Sequence, residues 1–166
     1  MATGLEEMGK DAIVEPLEVA SQLSQAATID IFQWWLQNRD AQSDCPVPYW
    51  KSFDVIEFAT YSNRMSVSER QQDGSFKYKL QGEHVLDVLG RDRLKHMDVR
   101  GDHEQVYERD LFHYYDMICT DLTPHVFKGT LPTIDKGHVQ IESVDLPFKD
   151  ENGDVNKILS ILQDFK

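Results

Sequence analysis

The sequence predicts an α+β protein: a five-stranded antiparallel sheet with helices on one face, preceded by an N-terminal helical extension. Four observations carry that prediction. Phe76, Tyr78 and Leu80 alternate with Lys77, Lys79 and Gln81, the period of a strand with one buried face. At Gly82 the period changes, and Val85, Leu86 and Leu89 recur at helical steps. Asp73-Gly74 and Asn152-Gly153 each separate two strand-like runs, a strong hairpin signal. Residues 155–165 are apolar on both faces, with Ile158 and Leu162 against Val155, Leu159 and Ile161, as expected of a strand at the centre of a sheet.

In chain order, residues 1–11 are small, polar and acidic and read as disordered. Pro16 suits the first position of a helix running to Arg39. Leu17, Ala20, Ser24, Ala27, Ile31 and Trp34 form a heptad-like seam along it, with small residues at half its positions. Residues 28–40 are its firmer half, with Thr28 as N-cap and a wide apolar face. Pro46 and Pro48 break the helix, and residues 53–61 read as one or two short turns. The first hairpin and its short helix follow, with Gly90 placed to cap that helix. Residues 91–102 look irregular. Tyr107, Leu111, Tyr114, Ile118 and Leu122 make residues 104–122 the longest predicted helix, which Pro124 ends. Three strands close the chain, at 125–133, 138–148 and 155–165, with turns at Lys136-Gly137 and Asn152-Gly153, the latter of type I′. Apolar parity shifts within the middle one, which predicts a bulge near Glu142 or Ser143. Joining two strands to three across a helical insert places the last strand beside the first.

Within this pattern the stretch GEHVLDVLGRD, with WWLQNRD upstream and PHVFKGTL and VDLPFKDENGDVNKILSIL downstream, resembles a PAS domain. More narrowly it is similar to the single-domain PAS-like family common in alphaproteobacteria. The resemblance covers roughly residues 28–166 and leaves 1–27 as an extension, partly disordered or helical. It departs from the family after Arg91-Asp92, where RLKHMD replaces a run toward a second glycine, and at Tyr49-Trp50-Lys51, where relatives often have an Asp-Pro step. The resemblance implies signal transduction, with sensor kinases among the partners that family analogy allows. After the fifth strand the sequence stops at Lys166, so an effect is expected to travel by contact with another protein or by a change in that contact when a small ligand binds.

Composition narrows the rest. Seventeen Lys plus Arg against 29 Asp plus Glu give a net charge of −12, which disfavours nucleic acid and anionic membrane as partners. No run approaches the roughly 20 apolar residues of a membrane span, and no basic and apolar leader opens the chain, so a cytoplasmic location is expected. Cys45 and Cys119 match neither a disulfide framework nor a zinc site.

No phosphate-binding or nucleophile-elbow motif is present. Asp110, His113 and Asp116 are three apart, but they match no standard metal spacing and read as a solvated face. His113 is the residue a haem reading would use; its bulky neighbours Phe112, Tyr114 and Tyr115 argue against it. Residues 82–100 lack the cysteine of an adduct-forming flavin site, and Glu83, His84, Asp87 and Asp92 read as the wet side of a short helix. No catalytic residue, metal or cofactor is therefore assigned.

The interior between sheet and helices is the candidate ligand site, lined by Tyr78, Leu80, Val85, Leu89, Leu111, Tyr114, Ile118, Phe127 and Ile141. The aromatic content favours a filled core over a cavity. A homodimer is expected through Leu17, Ile31, Trp34 and Trp35, because large apolar groups almost encircle that helix; the alternative is that residues 17–27 fold back as a helix of their own and cover its remaining face within one chain. The alternative function is a small α+β enzyme, an isomerase or hydrolase using Glu142 or Asp145 in an apolar cavity.

Overall fold

The computed structural model describes residues 12–89, 98–102, 106–130 and 140–165. Its elements are β1 (Ile13–Pro16), α1 (Ala26–Asn38), β2 (Met65–Arg70), β3 (Phe76–Gln81), α2 (Glu83–Leu89), β4 (Asp98–Val99), α3 (Val106–Asp121), β5 (His125–Thr130), β6 (Gln140–Lys149) and β7 (Val155–Phe165). The strands form one antiparallel sheet in the order β1-β5-β6-β7-β2-β3-β4. β7 is central, and pairs with β2 as the sequence requires. Two short strands extend the predicted five, one at each edge. Residues 1–11, Gly90 and the Lys136-Gly137 turn lie outside the described residues.

Strand alternation gives the sheet two covered faces. Val126, Val144, Leu146, Phe148, Leu159, Ile161, Met65 and Val67 face α1. Phe76, Ile158, Phe127, Ile141 and Leu162 face α2 and α3. The helices between β3 and β5 thus share one face, and α1 takes the other.

The N-terminal reading needs correction. Pro16 ends an edge strand rather than opening a helix, which suits a residue with no N–H to donate. A 3-10 turn at Ala20–Gln22 and extended backbone at Leu23 and Gln25 follow, so the heptad-like seam is not one helix. Its apolar members are buried because the segment is folded across the sheet. The helix starts at Ala26, and Thr28 is inside it rather than at its cap.

Other segments of the chain pack against the aromatic side of α1, while Asp30, Gln33 and Gln37 stay exposed. Ring centroids of Trp34 and Phe53 lie 5.1 Å apart, and those of Trp50 and Phe148 5.3 Å. Lys149, itself buried, ties down the proline segment by donating to the Cys45 carbonyl at 2.8 Å, with its Nζ 4.5 Å from the Tyr49 ring centroid. Leu17, Ile31, Trp34 and Trp35 are between 0 and 9% exposed within one chain, so they have little surface to offer a second copy.

Both hairpins turn differently from type I′. Only the glycine has positive φ, +87° at Gly74 and +86° at Gly153, and Asn152 does not. Gly74 N–H donates to the Gln71 carbonyl and Gln71 N–H to that of Ser75; Gly153 and Asp150 repeat this with Asp150 and Asp154. A type I turn followed by a glycine bulge makes that pattern. The bulge expected near Glu142 falls instead between Phe148 and Lys149. The parity shift in β6 has another origin: both faces of that strand are buried, so apolar residues need not keep one parity.

Candidate functional site

The interior beneath α3 is built from sheet residues and one helix face. Leu111, Tyr114, Tyr115 and Ile118 recur at three- and four-residue steps and pack on Phe76, Val99 and Ile158. Val85 of α2 packs with Phe127, Ile141 and Leu162, and Tyr78 touches both groups. The Tyr78 and Tyr115 hydroxyls are 2.9 Å apart.

Of the nine predicted lining residues, Val85, Leu111, Tyr114, Ile118, Phe127 and Ile141 are buried there, and Tyr78 partly so. Leu80 is not. Tyr78 pairs with Ser68 and Leu80 with the next residue back, Val67, so Lys79 is an extra residue in β3. That bulge turns Leu80 to the opposite face, where it is 39% exposed. The side chain of Leu89 lies outside the described residues.

A polar row crosses this apolar interior. The registers align His125 with Asp145, Asp145 with Ser160, and Ser160 with Ser66. Directly opposed residues share a face, so all four lie under α3. Tyr114 reaches down from α3 and donates to Asp145 Oδ2 at 2.6 Å, and the Ser160 hydroxyl donates to Oδ1. Burial raises the Asp145 carboxyl above its ordinary value, against the lowering effect of the Ser160 and Tyr114 hydroxyls and of His125. Burial, with the nearby carboxylate, also holds the Tyr114 hydroxyl well above its usual range. His125 packs edge-on to Tyr114, with centroids 6.0 Å apart. Sequence analysis singled out Asp145 but missed Ser160, Ser66 and His125. Their signal was present as polar residues in otherwise apolar strands; what each faced depended on strand register.

The other strand carboxylate, Glu142, is fully buried on the α1 face. Its oxygens accept the N–H groups of Ser24 (3.0 and 3.1 Å) and Gln25 (3.1 Å) and the hydroxyls of Ser24 (2.9 Å) and Thr28 (2.5 Å). Lys128 Nζ lies 3.8 Å away. Glu142 therefore ties the two residues that lead into α1, and the Thr28 hydroxyl inside its first turn, to β6, and its charge suits the positive end of α1.

The remaining candidates separate. His113 is exposed and packs on Phe112, whereas Asp116 forms an ion pair with Arg70. Among the described residues no group of three or more His, Cys, Asp or Glu is placed to hold a metal. His84 pairs with Asp164 at the end of β7. There burial pushes the Asp164 carboxyl up, but His84, its own backbone and Arg64 outweigh it and leave it low. Burial pushes the Cys119 thiol up to about 11, which makes it a core residue and not a nucleophile. Two surface clefts, of about 400 and 350 Å³, lie away from both Glu142 and Asp145.

The fold so described is an antiparallel α+β domain whose helical insert, between β3 and β5, covers one sheet face. The chain belongs to the PAS domain family, whose match spans residues 23–163. That span takes in α1 and nearly all of β7. No curated protein and no solved structure matches the chain. PAS domains are in general sensory and signalling domains. No helix among the described residues is long and apolar enough to cross a membrane.

Proposed function

We propose that this PAS domain acts in signal transduction through contact with another protein, with its interior filled by its own side chains. The observation that supports this most is the packing beneath α3. Six of the predicted lining residues are buried against one another and against Phe76, Val99, Ile158 and Leu162. A filled interior moves the working surface to the outside of the domain. The enzyme alternative needs an open apolar cavity around a strand carboxylate. Glu142 is instead wrapped by the start of α1, and Asp145 is held between Tyr114 and Ser160.

A sensor kinase or other signalling protein is the partner class that the family favours. Affinity capture from the source cells, followed by titration of the purified chain with each captured protein, tests the proposal. One signalling protein should bind saturably at a fixed stoichiometry. If every captured protein fails to bind once purified, the proposal fails.

A further inference from the structure

The larger of the two surface clefts is acidic and partly aromatic. It lies between α1 and the segment before β2, with Asp30, Gln33 and Gln37 on one side and Glu57, Phe58 and Tyr61 on the other. The three α1 residues are spaced three and four apart and so share one helix face. Phe58 and Tyr61 supply its half-buried aromatic wall, and Trp34, itself buried, packs behind Phe58 with ring centroids 6.4 Å apart and nearly perpendicular. The Tyr61 hydroxyl donates to Asp30 Oδ2 at 2.6 Å and fixes that carboxylate in place.

No Lys or Arg lines this cleft. Elsewhere many carboxylates have cations of their own: Asp164 has Arg64, Asp116 has Arg70, Glu69 has Lys157 and Asp40 has Lys149. The second cleft carries Arg100, 3.9 Å from Asp102. Beside Glu57, Ile56 is 82% exposed, the most exposed large apolar residue among those described.

We propose that this cleft docks an arginine-bearing segment of a partner protein, with apolar residues flanking the arginine; the inference rests on the protein-contact reading above. A guanidinium is planar, lies against aromatic groups and forks onto carboxylates, so it uses all three features of the cleft. Ile56, next to Glu57 in the chain and exposed, offers an apolar contact to the flanking residues. The net charge of −12 draws a basic segment toward the surface, and the cleft selects where it stops.

Titration of the ¹⁵N-labelled full-length chain with the peptide acetyl-Leu-Arg-Arg-Leu-amide, followed by NMR, tests the docking without needing the natural partner. Saturable shifts should appear in the side-chain amides of Gln33 and Gln37 and in the backbone of residues 57–61. The Asp30→Asn/Glu57→Gln variant should bind about tenfold more weakly. A lysine version of the peptide should bind more weakly than the arginine one. Gln33→Lys places a cation inside the cleft and should block the peptide, a second check should the double variant fail to fold. Shifts scattered over carboxylates around the whole surface, undiminished binding by the folded variants, or no binding by wild type would each overturn the proposal. None of these results would by itself remove the protein-contact function, whose capture test uses a different readout. A natural partner bound equally by wild type and by the double variant would move the docking surface elsewhere.

Discussion

At the scale of single residues, two carboxylates three positions apart on β6 work on opposite faces of the sheet. Glu142 accepts N–H groups from residues 117 and 118 positions earlier in the chain and so pins α1 to the sheet. Glu142→Ala removes the shared acceptor of these part-buried donors and the buried Thr28 hydroxyl and should destabilise by about 2–4 kcal/mol, read as a lower midpoint in urea. A loss below about 0.5 kcal/mol would mean that this network is not formed. Asp145 makes a pH-dependent difference of definite sign. Its carboxyl value is raised in the folded state, so the folded chain holds that proton more tightly than the unfolded one. The associated stability is present below the ordinary carboxylate value and is lost as pH rises through the folded one. Asp145→Asn cannot ionise, so its stability relative to wild type should increase as pH rises from about 4. Urea titrations of both proteins across that range give the difference directly, and a flat difference would contradict the assignment. Both acids were visible in the sequence as polar residues in an apolar strand. Their roles were not, because each is set by a segment that arrives over it from far away in the chain.

At the scale of elements, the local patterns were the legible ones. The β2–β3 hairpin, α2 and α3 could be read because alternation, Asp-Gly and three- and four-residue steps act within a few residues. β1 and β4 could not: they have four and two residues, and exist as strands through pairing with β5 and β3. The seam from Leu17 to Trp34 misled because burial across a sheet can mimic helical spacing. At Gly82, where the strand period gives way to the helical one, the backbone itself demands glycine. A Cβ there would stand 2.3 Å from the Asn63 carbonyl oxygen, whereas one on Gly153 would meet nothing within 4 Å. Gly153 is instead constrained by its φ of +86°. Gly82→Ala should therefore destabilise by at least about 2 kcal/mol, more than the roughly 1 kcal/mol expected of Gly153→Ala. Thermal melts that reverse this order would show that close approach at Gly82 is not the constraint. In hydrogen exchange, the amides of Ile158–Leu162 should be among the slowest and those of β1 much faster, since β7 is central and β1 is an edge. Equal rates would contradict the sheet order.

At the scale of the whole molecule, one sheet separates two jobs. Its α1 face is a continuous aromatic and aliphatic core that includes Trp34, Trp35, Phe53 and Phe148. Its other face carries the interior that PAS resemblance marks as a ligand site, here crossed by the His125–Asp145–Ser160–Ser66 row. The sequence located that interior and most of its lining. It could not foresee the β3 bulge that removes Leu80, and it left open whether a second copy or the same chain covers the outer side of α1. The central claim is that the α3 interior is filled and that signalling runs through surface contact. Mass spectrometry of the purified protein, sprayed under native and then denaturing conditions, tests it most directly. The account expects the native mass to equal the polypeptide alone, or a whole multiple of it, with nothing released on denaturation. A small molecule bound in stoichiometric amount and freed on unfolding would contradict it.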